Sequence, residues 1–224
     1  LALDVILYNA AISACEKGYR WEWAMDQLGD MIAQRVAPDV ISYNAVISAC
    51  EKGKQWEMAL QLVASMGLIR VRPDTITYNA LISACEKGKN WEPAFRALED
   101  MQRAQLEPSV LTYNAVASAC EKCQRWRHAL ASLLAMRHDQ LDPNAYACSA
   151  VVSACEKCEE WKAALSTTEY SARWLPHACG SSLVICNAAL SACEKGKQWL
   201  QAAGVLERMR HRGAVPDIIS HTAA

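Results

Sequence analysis

Between Val40 and Asp74, Tyr43, Val46, Ile47 and Cys50 recur at helical spacing and lay an apolar stripe along a first helix. After a break at Gly53, Trp56, Ala59, Leu60 and Val63 lay a second stripe along a second helix. The pattern predicts a helical hairpin, and the chain writes it repeatedly. Cys15, Cys50, Cys85, Cys120, Cys155 and Cys193 each stand in Ser-Ala-Cys-Glu-Lys at intervals of 35, 35, 35, 35 and 38 residues. Trp21, Trp56, Trp91, Trp126, Trp161 and Trp199 follow at the same intervals. The copies cover residues 5–39, 40–74, 75–109, 110–144, 145–182 and 183–217, and a partial copy occupies 218–224. Copy 145–182 is degenerate, because "STTEYSARWLPHACGSS" replaces the usual ending and adds three residues.

The punctuation agrees with the period. Asp39, Asp74, Ser109, Asn144 and Asp217 stand where a helix N-cap belongs. Gly18, Gly53, Gly88 and Gly196 follow the Lys of each first helix, where a C-cap glycine belongs. One hairpin cannot bury both stripes alone, whereas stacked neighbours can. Residues 1–224 therefore read as one all-α repeat array, an α-solenoid with a concave and a convex surface. Its end copies each lack a neighbour and are expected to be its least stable part.

The first helices carry a second pattern. Ile41, Asn44, Ser48 and Lys52 are offset by 3, 7 and 11 positions, so at about 100° per residue they share an arc of roughly 80° opposite the Tyr43 stripe. Stacking turns them into rows. The apolar row is Ile6, Ile41, Ile76, Leu111, Tyr146 and Val184, and the polar row is Asn9, Asn44, Asn79, Asn114, Ser149 and Asn187. The cationic row is Lys17, Lys52, Lys87, Lys122, Lys157 and Lys195. Such rows suit a single-stranded nucleic acid, with apolar groups on base faces, amides on base edges and ammonium groups on phosphates.

Composition narrows the classes. The chain has 224 residues, of which 52% are hydrophobic, as in an ordinary globular chain. No run of eighteen apolar residues exists to span a bilayer, and the first residues lack a secretory pattern. The chain starts without Met inside the repeat pattern, so it reads as an excised stretch with any targeting segment or further domain out of view. The net charge of −1 argues mildly against nucleic acid. Glu51, however, points about 100° away from Lys52 on its helix, so the Lys row is expected to remain a local basic stripe. Six of the 11 Cys share the packing stripe and read as small buried apolar groups in a reducing compartment. Cys120/Cys123 and Cys155/Cys158 form C-x-x-C pairs, but each second Cys replaces the first-helix terminal Gly, so no metal is expected. His128, His138, His177, His211 and His221 are irregularly placed, and no nucleophile motif or phosphate loop is present. Neither catalysis nor a cofactor is expected.

A 35-residue hairpin with Tyr-Asn-Ala near its start, Met near its end and a closing Pro-Asp resembles the pentatricopeptide repeat family. The resemblance implies a right-handed superhelix of helix-turn-helix repeats that binds single-stranded RNA, in a mitochondrion or plastid. It also implies roles for the rows. The fifth and last residues of a unit select the base, the second residues sandwich it and the Lys contacts phosphate. Asn9 with Asp39, Asn44 with Asp74 and Asn187 with Asp217 then resemble uracil readers. Asn79 with Ser109 resembles a cytosine reader, and Asn114 with Asn144 a pyrimidine reader leaning to cytosine. Ser149 has no clean partner, since Ser182 or Cys179 could close its unit. The implied target is pyrimidine-rich, U-U-C-(C/U)-N-U. Other roles stay open: helix capping for the closing residues, an inter-repeat hydrogen-bond network for the Asn row, helix-dipole complementarity for the Lys row, and ordinary packing for the apolar row. The alternative function is a protein-binding helical scaffold.

Overall fold

The computed structural model describes residues 2–174 and 179–211, with side-chain surroundings for 4–171 and 183–211. Among the described residues there are twelve α-helices and no strand. They are α1 (Ala2–Lys17), α2 (Trp21–Ala33), α3 (Val40–Lys52), α4 (Trp56–Leu68), α5 (Thr75–Lys87) and α6 (Trp91–Arg103). The series continues with α7 (Val110–Lys122), α8 (Trp126–His138), α9 (Ala145–Lys157), α10 (Trp161–Trp174), α11 (Cys179–Lys195) and α12 (Trp199–His211). Each full sequence repeat supplies one hairpin. In the degenerate copy the extra residues are accommodated around α10 and α11. There α11 has 17 residues, against 13 in α9, and starts ahead of the usual first-helix position. The partial copy at 218–224 and Asp217 lie outside the described residues.

The chain forms two compact units, Leu1–Pro108 and Ser109–Ala224. In the first, α1 packs on α3 and α3 on α5, while α2 and α4 each lie against their own first helix and the next. The second unit repeats the scheme, with α7 on α9, α9 on α11, and α8 and α10 bridging successive first helices. Both are all-α solenoid stacks, the class the repeats predict.

The expected first-helix stripe is the core. Tyr43, Val46, Ile47 and Cys50 are buried, as are their counterparts Leu81, Ile82 and Cys85, and Tyr113, Val116, Ala117 and Cys120. Burial pushes the Cys50 thiol up to about 11 and those of Cys85, Cys120 and Cys155 up to about 12, so they stay protonated and behave as small apolar groups. The second stripe is rotated from expectation. Ala59, Leu62 and Met66 are buried, whereas Leu60 is 41% exposed. Leu60 lies about 100° round from Ala59, off the line of Ala59, Leu62 and Met66 that packs inward.

The caps form where predicted. Asp39, Asp74, Ser109 and Asn144 have extended backbones, and their side chains accept from Ser42 N, Thr77 N, Thr112 N and Ala147 N. Gly53 and Gly88 stand at the C-caps of α3 and α5 as expected, but not for a left-handed backbone. Gly53 and Gly88 have φ of −78° and −77°, while the left-handed residues are the following Lys54 and Lys89 at 58° and 54°. Their function is room for a neighbour. A Cβ on Gly196 would sit 2.6 Å from Trp161 Cδ1, and one on Gly53 or Gly88 would crowd Trp21 or Trp56 still more. The repeated Trp of one hairpin thus packs on the repeated Gly of the next.

Candidate nucleic-acid interface

The apolar row does not pack. Ile6, Ile41, Ile76, Leu111, Tyr146 and Val184 are 64, 65, 64, 76, 55 and 57% exposed. Each is the second residue of its unit, on the face of the first helix opposite the buried stripe. Ordinary packing therefore does not account for this row. An isolated exposed Leu is unremarkable, but the same register in six repeats is a surface pattern.

Behind this row, the fifth and last residues of the first two repeats are joined. Asn9 Nδ2 donates to Asp39 Oδ1 at 3.3 Å, and Asn44 Nδ2 donates to Asp74 Oδ1 at 3.1 Å. The hydroxyls of Ser42 and Thr77 lie 2.6 and 2.5 Å from Asn9 Oδ1 and Asn44 Oδ1. Those hydroxyls also accept from the amides of Asp39 and Asp74, completing a capping box at the start of the next repeat. The closing residue thus caps a helix and holds an Asn side chain at once, so the hydrogen-bond network left open by the sequence is realised here. Burial alone would raise the Asp39 carboxyl. Bonds from the Ser42 amide and hydroxyl, from Asn9 and from the Ile41 amide together outweigh it and hold the carboxyl below its ordinary value. Asp74 is lowered in the same balance by Thr77, Asn44 and Ile76.

Repeat four departs from this pattern. Asn144 Oδ1 accepts from Ala147 N at 2.9 Å, and Asn114 Oδ1 is buried without a hydrogen-bond partner. Asn79 and Asn187 are half-buried on their first helices. Ser149 is likewise half-buried, while the side chains of Cys179 and Ser182 and all of Asp217 lie outside the described residues.

The expectation of a bare basic stripe is corrected. Lys52, Lys87, Lys157 and Lys195 pair with Glu16, Glu51, Glu121 and Glu156 of the preceding repeat at 3.0, 2.7, 3.0 and 3.1 Å. The same carboxylate oxygens accept from Ser48, Ser83, Ser153 and Ser191 at 2.8, 2.7, 3.0 and 2.8 Å. On its own helix each Glu does point away from its neighbouring Lys, but stacking brings it to the Lys one repeat later. Reasoning confined to one helix misses this ladder. The signal that could have found it was the strict co-repetition of Ser, Glu and Lys. Lys17 is exposed and makes no ion pair among the described residues.

No group of three or more His, Cys, Asp or Glu side chains converges among the described residues. No described helix is long and apolar enough to cross a membrane.

Comparison with known proteins gives the same repeat. The PPR repeat family matches residues 38–87 and 73–122, a pentatricopeptide repeat domain matches 1–55, and a PPR repeat matches 184–213. Among solved structures, the pentatricopeptide repeat protein PPR10 from maize aligns with TM-score 0.70 and 23% identity over 96% of this chain and 30% of its own. The structure of PPR10 in complex with an 18-nt psaJ RNA element aligns with TM-score 0.64 and 23% identity over 98% of this chain and 30% of PPR10. The PPR domain of Arabidopsis thaliana protein-only RNase P 1, in complex with tRNA, aligns with TM-score 0.67 and 13% identity over 76% of this chain and 90% of that one. At these identities the structural likeness is one of fold, and this chain spans 30% of the length of PPR10. A search of curated proteins found no match. Repeat models covering residues 1–122 and 184–213, together with a hairpin stack like those solved, show that this chain belongs to the pentatricopeptide repeat family.

Proposed function

We propose that the chain binds single-stranded RNA sequence-selectively, one base per repeat, with its repeats read in chain order as one array. The observation that carries this reading is the row of six exposed apolar side chains, each one turn from a polar residue in the same register. Apolar side chains on either side of a base make van der Waals contact with its faces whatever its identity. The edge of the base then meets the fifth and last residues. Asn9 and Asn44 each use one N–H on a carboxylate, so the second can donate to a pyrimidine carbonyl. The carboxylate of Asp39 or Asp74 can accept the N3–H of uracil, whereas the hydroxyl of Ser109 can donate to the unprotonated N3 of cytosine. These pairings support the target U-U-C-(C/U)-N-U. Lys17, Lys52, Lys87, Lys122, Lys157 and Lys195 are the proposed phosphate contacts. An ammonium has three donors, so a lysine held by a Glu can still share a hydrogen with a phosphate.

Binding without chemistry fits shielding or remodelling of a transcript, in keeping with the RNA complexes of PPR10 and the RNase P domain. A mitochondrial or plastid setting follows from the family resemblance. The Glu–Lys ladder is the observation favouring a protein-binding scaffold instead, since it neutralises most of the row that would attract phosphate. Fluorescence anisotropy separates the two readings. UUCCAU-containing RNA is compared with a purine-swapped RNA and the matching DNA at two salt concentrations. Preference for the first strand, weakening with salt, supports the proposal, and no binding to any strand at low salt overturns it.

A further inference from the structure

A carboxamide can present its oxygen or its nitrogen in either direction, and its hydrogen-bond partners decide which. In repeats one and two the decision is forced. The carboxylates of Asp39 and Asp74 cannot donate, so each must face an NH2, at 3.3 and 3.1 Å. The oxygens of Asn9 and Asn44 are left to the hydroxyls of Ser42 and Thr77, at 2.6 and 2.5 Å. A base meeting either Asn therefore finds an N–H.

Repeat four lacks both restraints. The residue in register with Ser42 and Thr77 is Ala147, only 1% exposed, which has no hydroxyl. The closing residue is Asn144, whose Oδ1 is already occupied by the Ala147 amide at 2.9 Å. Asn114 is 8% exposed, and its buried Oδ1 accepts nothing. Leaving an acceptor buried and unmatched is costly, so this arrangement should be maintained only weakly against a turn of the amide.

We infer that the hydroxyl at the third residue of a first helix is a positioning residue that fixes the amide of the preceding repeat, and that Ala147 leaves Asn114 unlocked. The base-selecting part rests on the RNA reading above. An unlocked amide can offer an N–H to a carbonyl or an oxygen to an exocyclic amino group, so repeat four should tolerate bases that repeats one and two reject. The tolerance arises from a residue that need not touch the base.

Ala147→Thr and Ala147→Val test this, because Thr and Val have nearly the same shape and only Thr carries the hydroxyl. Ala147→Ser serves the same purpose if the larger side chains do not fit. The first arm needs no RNA. Thermal unfolding and the side-chain amide NMR signal of Asn114 are compared between the variants. The Thr variant should unfold about 2–4 °C above the Val variant, a shift of the size expected for one added hydrogen bond in a chain of this length. Its Asn114 amide should show one pair of N–H signals, shifted from that of the Val variant. Identical midpoints and signals would overturn the lock. The second arm measures anisotropy with RNAs carrying each base opposite repeat four. Discrimination between pyrimidines and adenine should rise by about tenfold in the Thr variant, corresponding to ~1.4 kcal/mol, with the Val variant and the selectivity of repeat two unchanged. Equal selectivity in the Thr and Val variants, with RNA still bound, would overturn the positioning role alone. Loss of binding to every strand by the unmodified protein would overturn the base-reading role together with the proposed function, while the first arm still decides the lock.

Discussion

Thr77→Val is the most direct perturbation of the junction between repeats two and three. It preserves the shape of a side chain that is 0% exposed and removes only a hydroxyl. That hydroxyl accepts from Asp74 N at 3.1 Å and lies 2.5 Å from Asn44 Oδ1 and 2.9 Å from Asp74 Oδ1. It has one hydrogen to give, so two bonds are lost at any moment, one accepted and one donated. A neutral bond contributes about 1 kcal/mol and an orphaned buried group costs about 1–3 kcal/mol. Asn44 is half-buried, so water relieves part of that cost. The expected destabilisation is therefore about 1.5–3 kcal/mol. The chain comprises two compact units, so a residue-resolved readout assigns the loss to the unit that carries it. Native-state hydrogen exchange in α3 and α5 reads the loss where it occurs, as roughly ten- to hundredfold faster exchange. A cycle with Asn44→Ala isolates the shared bond, with coupling near 1 kcal/mol. A variant within about 0.5 kcal/mol of the parent, or zero coupling, would refute the claim that this hydroxyl ties the repeats together.

Other outcomes follow from the same contacts. Glu51→Gln removes the charge bound to Lys87 and Ser83, so RNA affinity at low salt should increase and the salt slope steepen; unchanged titrations at both salts would show that Lys87 does not meet phosphate. Asn44→Ser with Asp74→Asn should move the preference at the second base towards adenine, as the family resemblance implies, and an unchanged base panel there would count against one-base reading by that pair. Gly53→Ala forces a methyl against Trp21, so α2 and α3 should separate slightly with a stability loss of about 1–3 kcal/mol by urea titration, and a neutral result would show that the Trp yields freely. The Cys85 thiol is pushed up to about 12 by burial, against about 8.5 in an unfolded chain. Its stabilising effect is complete below the unfolded value and is lost as pH rises through the folded one. The urea midpoint should accordingly fall between pH 8 and 11, and less in Cys85→Ala, the comparison that checks the source.

What the sequence reveals and what it conceals divide along a physical line. Contacts within one helix or one turn can be read from spacing, because about 100° per residue fixes which side chains share a face. The Tyr43 to Cys50 stripe, the Asp39 and Asp74 caps and the exposed Ile41 row are all of this kind, and each stands where spacing puts it. Contacts between repeats depend on how one hairpin sits on the next, and spacing within a helix is silent about that. The Glu16 to Lys52 pair joins residues 36 positions apart, and the Gly53 approach to Trp21 spans 32. Each looked local in sequence, as a charge turned aside and a helix cap, and each serves the neighbouring repeat. The same distinction explains why repeat four was legible only in part. The pair Asn114 and Asn144 is plain in the sequence, but whether that Asn is held depends on Ala147, which belongs to the following repeat. In repeats one and two the pairs Asn9–Asp39 and Asn44–Asp74 are completed by Ser42 and Thr77, in the first turn of the next hairpin. A substitution at the third position of a first helix should accordingly alter the repeat before it more than its own, which is the pattern the Thr77 and Ala147 variants are designed to expose.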